Sequence, residues 1–245
     1  MTDGEMPAST AGYAAEADAL VAPYEALTLE QVHRQFLDLM PDRPGRALDI
    51  GAGTGRDAAA LAARGHRVVA VEPVREFRER ARLVHPDPAI EWLDDALPEL
   101  SRLAWRDVSF DIVMLTAVWM HLDAAERARA MPVIAGLLAP GGLLTLTIRH
   151  GTVPPGRRMF EVGTAETLGL AAANGLATRR VLENQAAIIP RPGIRWTRLA
   201  FVRPGSRRRG RSRASAQGPD QAAVRTDMVE KWRAGEDSNS RPPDS

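Results

Sequence analysis

Apolar residues recur along this chain in two periods, and their alternation divides it into helices and strands. Between residues 13 and 40 they follow helical spacing: Leu20, Val21, Tyr24 and Leu27, then Val32, Phe36, Leu37 and Met40. Thr28 with Gln31 three residues later has the form of a capping box, so two helices broken near Leu27–Thr28 are predicted. Pro41 and Pro44 end that segment. A short apolar strand ends at Ile50, and a helix follows from Arg56 to Arg64 with Gly65 as its stop. Residues 67–71 read as a buried parallel strand that ends in Glu72 and Pro73. Phe110 to Thr116 reads as another strand. Asp123 and Glu126 open a helix that runs to about Leu138 and stops at Pro140-Gly141-Gly142, and Leu143 to Ile148 is the next strand. A helix is expected from Thr164 to Asn174, with Gly175 just past its end. Strand-like runs follow at about Ala177–Ile189 and Ile194–Val202, the last alternating apolar with basic or polar residues. Strands alternating with helices predict an α/β fold around a mainly parallel sheet.

The chemistry concentrates where the first strand ends. Asp49 lies on that strand, and Gly51, Gly53 and Gly55 follow in the loop before the helix. Glycines let the backbone turn with positive φ and approach a ligand closely, and the helix behind them points free N–H groups at the same place. A dinucleotide-binding loop needs G-x-G-x-x-G, and counting from Gly51 the third position is Arg56, too long for close helix–strand packing. A phosphate-cradling loop needs Gly-Lys-Ser/Thr, and residues 51–57 contain no lysine. What remains is acid-x-G-x-G-x-G. Glu72 lies 17 residues beyond Gly55, near where nucleotide-binding βαβ units place a carboxylate on ribose hydroxyls. The alternative reading of Glu72 is a solvated acid at a strand end.

The Asp49–Gly55 pattern resembles motif I of the class I S-adenosylmethionine-dependent methyltransferases, and the resemblance extends over roughly residues 45–203. Asp95-Ala96, in Trp92-Leu93-Asp94-Asp95-Ala96-Leu97-Pro98, resembles the family's Asp-Ala element after the third strand. There the acid accepts a hydrogen bond from the adenine amino group. Asp94 competes for that role, and a helix N-cap is the alternative for both. The turn Leu138-Ala139-Pro140-Gly141-Gly142 is also a feature of the family. The resemblance implies a Rossmann-like, mainly parallel seven-stranded sheet in the order 3-2-1-4-5-7-6, flanked by helices. It also implies S-adenosylmethionine as cofactor. The residues it assigns to that cofactor are Asp49, Gly51, Ala52, Gly53, Gly55, Glu72, Asp95, Ala96 and Thr116.

The sulfonium of that cofactor is an activated methyl donor, so transfer rests mostly on proximity and alignment. A general base helps where the acceptor atom carries a proton. His121, just past the fourth strand, and His150, at the end of the fifth, are the candidates, each with a structural role as its alternative. Tyr13, Tyr24 and Trp119 are weighed as pocket residues against simple core packing. The Asn/Asp-Pro-Pro-Tyr motif of exocyclic-amino methyltransferases is replaced here by Thr116-Ala117-Val118-Trp119. A small-molecule acceptor is therefore preferred. Three alternatives stay open: an RNA or protein methyltransferase using a basic tail, a non-catalytic cofactor-binding regulatory module, and a disfavoured NAD-dependent oxidoreductase.

Composition sets limits on these readings. The 245 residues are 44% hydrophobic and 26% charged, ordinary for a globular chain, and no apolar run approaches the roughly 20 residues of a membrane helix. The start lacks a signal-peptide pattern, so a cytoplasmic, membrane-free protein is expected. With no cysteine, thiolate metal sites, cysteine-held iron–sulfur clusters and cysteine-nucleophile methyl transfer are excluded, and no metal site is expected. The division read from the sequence is a disordered N-terminus (1–12), a helical cap (13–44), a methyltransferase domain (45–203) and a disordered basic tail (204–245). The tail holds Arg207, Arg208, Arg209, Arg211 and Arg213, and its nine Arg+Lys against six Asp+Glu give a net +3. Such a cluster could bind nucleic acid through phosphates, and a solvated extension is the alternative. The final stretch from Gly235 to Pro243 resembles a reading frame running on into a transfer-RNA gene, which would leave the tail without selected function.

Overall fold

A computed structural model describes residues 7–205. Residues 1–6 and 206–245 lie outside the described residues, and with them the arginine cluster and the readings attached to it. Ala8–Thr10, within the stretch expected to be disordered, form one 3-10 turn.

Seven strands form one sheet: β1 (Arg46–Ile50), β2 (Arg67–Val71), β3 (Ile90–Leu93), β4 (Phe110–Thr116), β5 (Leu138–His150), β6 (Ala177–Ala186) and β7 (Arg195–Val202). Their order is 3-2-1-4-5-7-6, as the resemblance implies. Strands β1 to β5 pair in parallel, while β7 runs antiparallel to both β5 and β6. The parallel strands are mostly apolar because both faces are covered. One face packs Ala47, Val68, Ala70, Ile112 and Met114 against α2 (Leu29–His33) and α3 (Arg56–Ala63). The other packs Leu48, Ile50, Val71, Val113 and Leu115 with α6 (Ala124–Leu137) and α7 (Thr164–Ala173).

The predicted caps are present. α1 (Ala17–Glu25) gives way to α2 at Thr28, whose hydroxyl accepts the Gln31 amide while the Gln31 side chain accepts the Thr28 amide. Asp123 and Glu126 make the same reciprocal pair at the start of α6. Besides the short α5 (Ser101–Ala104) and the bounds of β3, three elements differ from the sequence reading. A ten-residue helix, α4 (Arg75–Val84), fills a stretch given no element, with Phe77 and Ala81 four apart on its buried side. β5 starts at Leu138 rather than Leu143, because Gly141 donates to the Arg203 carbonyl and Gly142 accepts from the Arg203 amide, extending the pairing with the end of β7. β6 ends at Ala186, after a register shift between Leu182 and Gln185 where Asn184 takes φ +53°.

Candidate active site

The glycine loop is built by the end of β1. The amides of Gly51 and Ala52 donate to the Val71 carbonyl at 2.8 and 3.0 Å, turning the chain up from the sheet. Gly51 and Gly55 have positive φ and close neighbours: a Cβ on Gly51 would lie 2.5 Å from Val118 Cγ2, and one on Gly55 would lie 2.8 Å from Trp92. Gly53 has φ +57° and open space where its Cβ would point. Packing therefore explains the outer two glycines, and the central one fronts a gap.

Two buried acids lie next to the loop. Asp49 is 1% exposed, and its Oδ2 has no hydrogen-bond partner among the described residues. Burial, reinforced by the nearby Asp57 charge, pushes its carboxyl well above the usual range. Glu72 accepts the Gly53 amide at 2.7 Å and the Val74 amide at 2.8 Å. Burial still outweighs these two hydrogen bonds and raises Glu72 to about 7. It is a buried, anchored group, which removes the reading of a solvated acid.

Beneath the loop lies a network that the sequence analysis did not single out. The buried Asp57 accepts from His33 Nε2 (2.8 Å), Thr116 Oγ1 (3.0 Å) and Arg56 Nε (2.8 Å). Burial pushes its carboxyl up, but His33 and Arg56 outweigh that and hold it below the usual carboxylate range. Arg56 also reaches the Tyr24 carbonyl, tying α1 to the first turn of α3. Thr116 thus spends its hydroxyl on Asp57. The only sequence signal was position: Arg56 and Asp57 directly follow the last glycine, and His33 ends the short helix that the Thr28 cap opens.

At the end of β3, Asp95 Oδ1 accepts the Ala96 amide, and Oδ2 accepts those of Arg102 and Leu103 at the start of α5 (Ser101–Ala104). A carboxylate has about four acceptor positions, so about one remains for a further donor. Asp94 is held by both terminal nitrogens of Arg78 at 3.0 and 2.8 Å. By this count Asp95 accepts three hydrogen bonds and Asp94 two.

The carboxyl edge also carries the histidine candidates. His121 Nδ1 is 2.7 Å from the Arg158 carbonyl, which can only accept, so Nδ1 carries the proton and Nε2 accepts from the Tyr13 hydroxyl at 3.1 Å. Burial lowers the His121 pKa and keeps the ring neutral. Tyr13 also lies under the Arg157 guanidinium, 3.4 Å from ring centroid to Cζ, and burial raises its pKa. Tyr24 stacks on Phe77 of α4. Trp119 is fully buried in the core and donates to Thr167, so it packs rather than lines a pocket. His150 lies on the face of β5 opposite to Arg149, with Nε2 2.8 Å from Thr197 Oγ1 and the charges of Glu161 and Glu183 nearby. The structure joins Tyr13 to His121 and leaves His150 outside that group.

Residues 48–146 match a family described as a methyltransferase domain. Over this stretch the chain is similar to that methyltransferase-domain family. An uncharacterized methyltransferase of Mycobacterium tuberculosis is 36% identical to this chain over 108 residues, which is 44% of this chain and 41% of that protein. The chain thus matches less than half the length of that curated relative. Among solved structures, a TehB-like methyltransferase from Corynebacterium glutamicum superposes with a TM-score of 0.57 at 20% identity, covering 77% of this chain and 98% of that one. A 1,6-didemethyltoxoflavin-N1-methyltransferase from Burkholderia thailandensis, with its acceptor and S-adenosylhomocysteine bound, gives 0.56 at 22% identity, covering 83% and 93%. These two share the fold of the methyltransferase domain. No helix among the described residues is long and apolar enough to cross a membrane.

Proposed function

We propose that this chain is an S-adenosylmethionine-dependent methyltransferase acting on a small-molecule acceptor. One observation carries the reading: Asp49 Oδ2 is buried without a partner beside a glycine loop whose central member, Gly53, faces open space. An orphaned buried carboxylate oxygen fits an ammonium group, and the gap at Gly53 fits a ligand backbone passing close by. In this reading Asp49 with Gly51, Ala52, Gly53 and Gly55 takes the methionine part of the cofactor. Glu72 has about two acceptor positions left after its two amides, enough for ribose hydroxyls. Asp95 and Ala96 take the adenine end, and Thr116 acts through Asp57, which braces the loop from below. When bound, the cofactor supplies a methyl group on a positively charged sulfur.

The protein's share is alignment and exclusion of water. The N-terminal turn meets the loop after β5 closely: a Cβ on Gly12 would lie 2.7 Å from the Gly156 carbonyl oxygen, and Arg157 covers Tyr13. That covering favours a small acceptor over a macromolecule. His121 Nε2, neutral and oriented by the Arg158 carbonyl, takes the acceptor's proton where there is one to take. The test is calorimetric titration of the full chain with S-adenosylmethionine, S-adenosylhomocysteine and NAD in parallel. Micromolar binding of the first two is expected, whereas NAD binding alone would overturn the reading.

A further inference from the structure

Arg157 lies over the Tyr13 ring of the helical cap, and the charges of Arg149 and Arg191 act on Tyr13 and Tyr24 respectively. Arg157 has a side chain only 5% exposed. Its Nη2 pairs with the half-exposed Glu16 at 2.5 Å, while its Nη1 is buried with no hydrogen-bond partner. Arg149, at the carboxyl end of β5, bonds the Thr152 carbonyl and the Met159 sulfur, and no acid among the described residues pairs with it. Arg191 is exposed, likewise without an acid partner among the described residues, and its charge acts on both Arg149 and Tyr24. Arg157 and Arg149 both act on Tyr13, whose hydroxyl meets His121.

Like charges gathered in a half-buried place repel, and a buried guanidinium nitrogen without an acceptor forfeits its hydration. Both costs are relieved by an anion. Guanidinium groups match carboxylate and phosphate oxygens in planar pairs, and Arg157 is already held flat against the Tyr13 ring. The place lies beside the group proposed to take the acceptor's proton and at the edge where the cofactor's methyl group would be presented. We propose that the acceptor is an anion, bearing a carboxylate or phosphate that Arg157 Nη1 holds with support from Arg149 and Arg191. The inference rests on the methyltransferase reading for calling this ligand the acceptor; the anion site itself stands on the arginines alone.

The test titrates the full chain, with and without saturating S-adenosylhomocysteine, with inorganic phosphate and separately with acetate, in the wild type and in R157M and R191M. At least one of the two anions should bind the wild type, and whichever binds better tells phosphate from carboxylate. R157M should weaken that binding about tenfold or more. The exposed R191M, which leaves the packing on Tyr13 intact, should weaken it about two- to fivefold and covers the case in which R157M does not fold. Anion binding unchanged in both variants would assign it to other arginines, such as those at 207–213, and overturn the proposal. So would anion binding that S-adenosylhomocysteine displaces, since the arginines would then serve the cofactor's own carboxylate. Failure of S-adenosylhomocysteine to bind, with the anion still held by Arg157, would instead sink the methyltransferase reading and leave the anion site standing.

Discussion

The Glu72 carboxylate accepts the amide hydrogen of Gly53 at 2.7 Å, so the acid ending β2 is hydrogen-bonded to the central glycine of the loop after β1. Two neighbouring strands thereby set one site, joined through a buried carboxyl that burial raises to about 7.

The first prediction follows from that raised value. Glu72 holds its proton to about pH 7 in the folded chain, against 4.5 for an unperturbed glutamate. Its contribution to stability is therefore complete below 4.5 and is lost as pH rises through about 7. Ribose hydroxyls need an acceptor, so affinity for S-adenosylhomocysteine should rise as pH passes from about 6 to 8. Arg78, Asp94, Asp49 and Tyr13 also bear on this region, so the comparison that isolates Glu72 is E72Q. Calorimetry on E72Q should show weaker binding, by about 1–3 kcal/mol, without the pH step. A step that persists in E72Q would assign it to another group.

Gly53→Ala places a methyl group in the open space before the loop, at φ +57°. The left-handed conformation should cost about 1–2 kcal/mol of stability, measurable by urea unfolding. Cofactor affinity should fall further than that strain explains. An unchanged Kd in the folded variant would remove Gly53 from the site.

Asp57 joins α2, α3 and β4 through His33, Arg56 and Thr116. Asp57→Ala leaves a buried guanidinium and imidazole without their acceptor and should destabilise the chain by about 3–5 kcal/mol. The sign with pH is the reverse of that for Glu72: the contribution of Asp57 is present above its unfolded value of 3.8 and is lost as pH falls through its lower folded value. Denaturant titrations of wild type and variant should show the gap narrowing from pH 7 to pH 3 without closing, because pH 3 still lies above the folded value of Asp57.

The two histidines separate in a kinetic comparison. His121→Ala should lower kcat by about 10²-fold or more for a protonated acceptor, with cofactor affinity unchanged. His150→Ala, which loses only the contact to Thr197, should leave kcat near that of the wild type. Equal losses in both variants would mark the effects as structural.

Much was readable before any coordinates. Apolar runs marked most of the parallel strands, alternation marked the last strand, and the 3.6 period marked most helices, because two-sided and one-sided burial impose those patterns locally. The two capping boxes were legible because their partners lie three residues apart. α4 was missed since charge dominates Arg75–Val84 and only its Phe77–Ala81 side is buried. The early start of β5 was missed because its partner, Arg203, is over 60 residues away.

The sequence by itself determined the glycine loop, its flanking acids and the order of elements, all set by neighbours within a βα unit. Only the tertiary structure decided which polar groups meet. The Asp57–His33 contact spans 24 residues, Tyr13–His121 spans 108, and Arg157–Glu16 spans 141. No local period encodes such pairs; they form because strand order brings the carboxyl ends of β1, β2, β4 and β5 to one edge, where the N-terminal helices close over them.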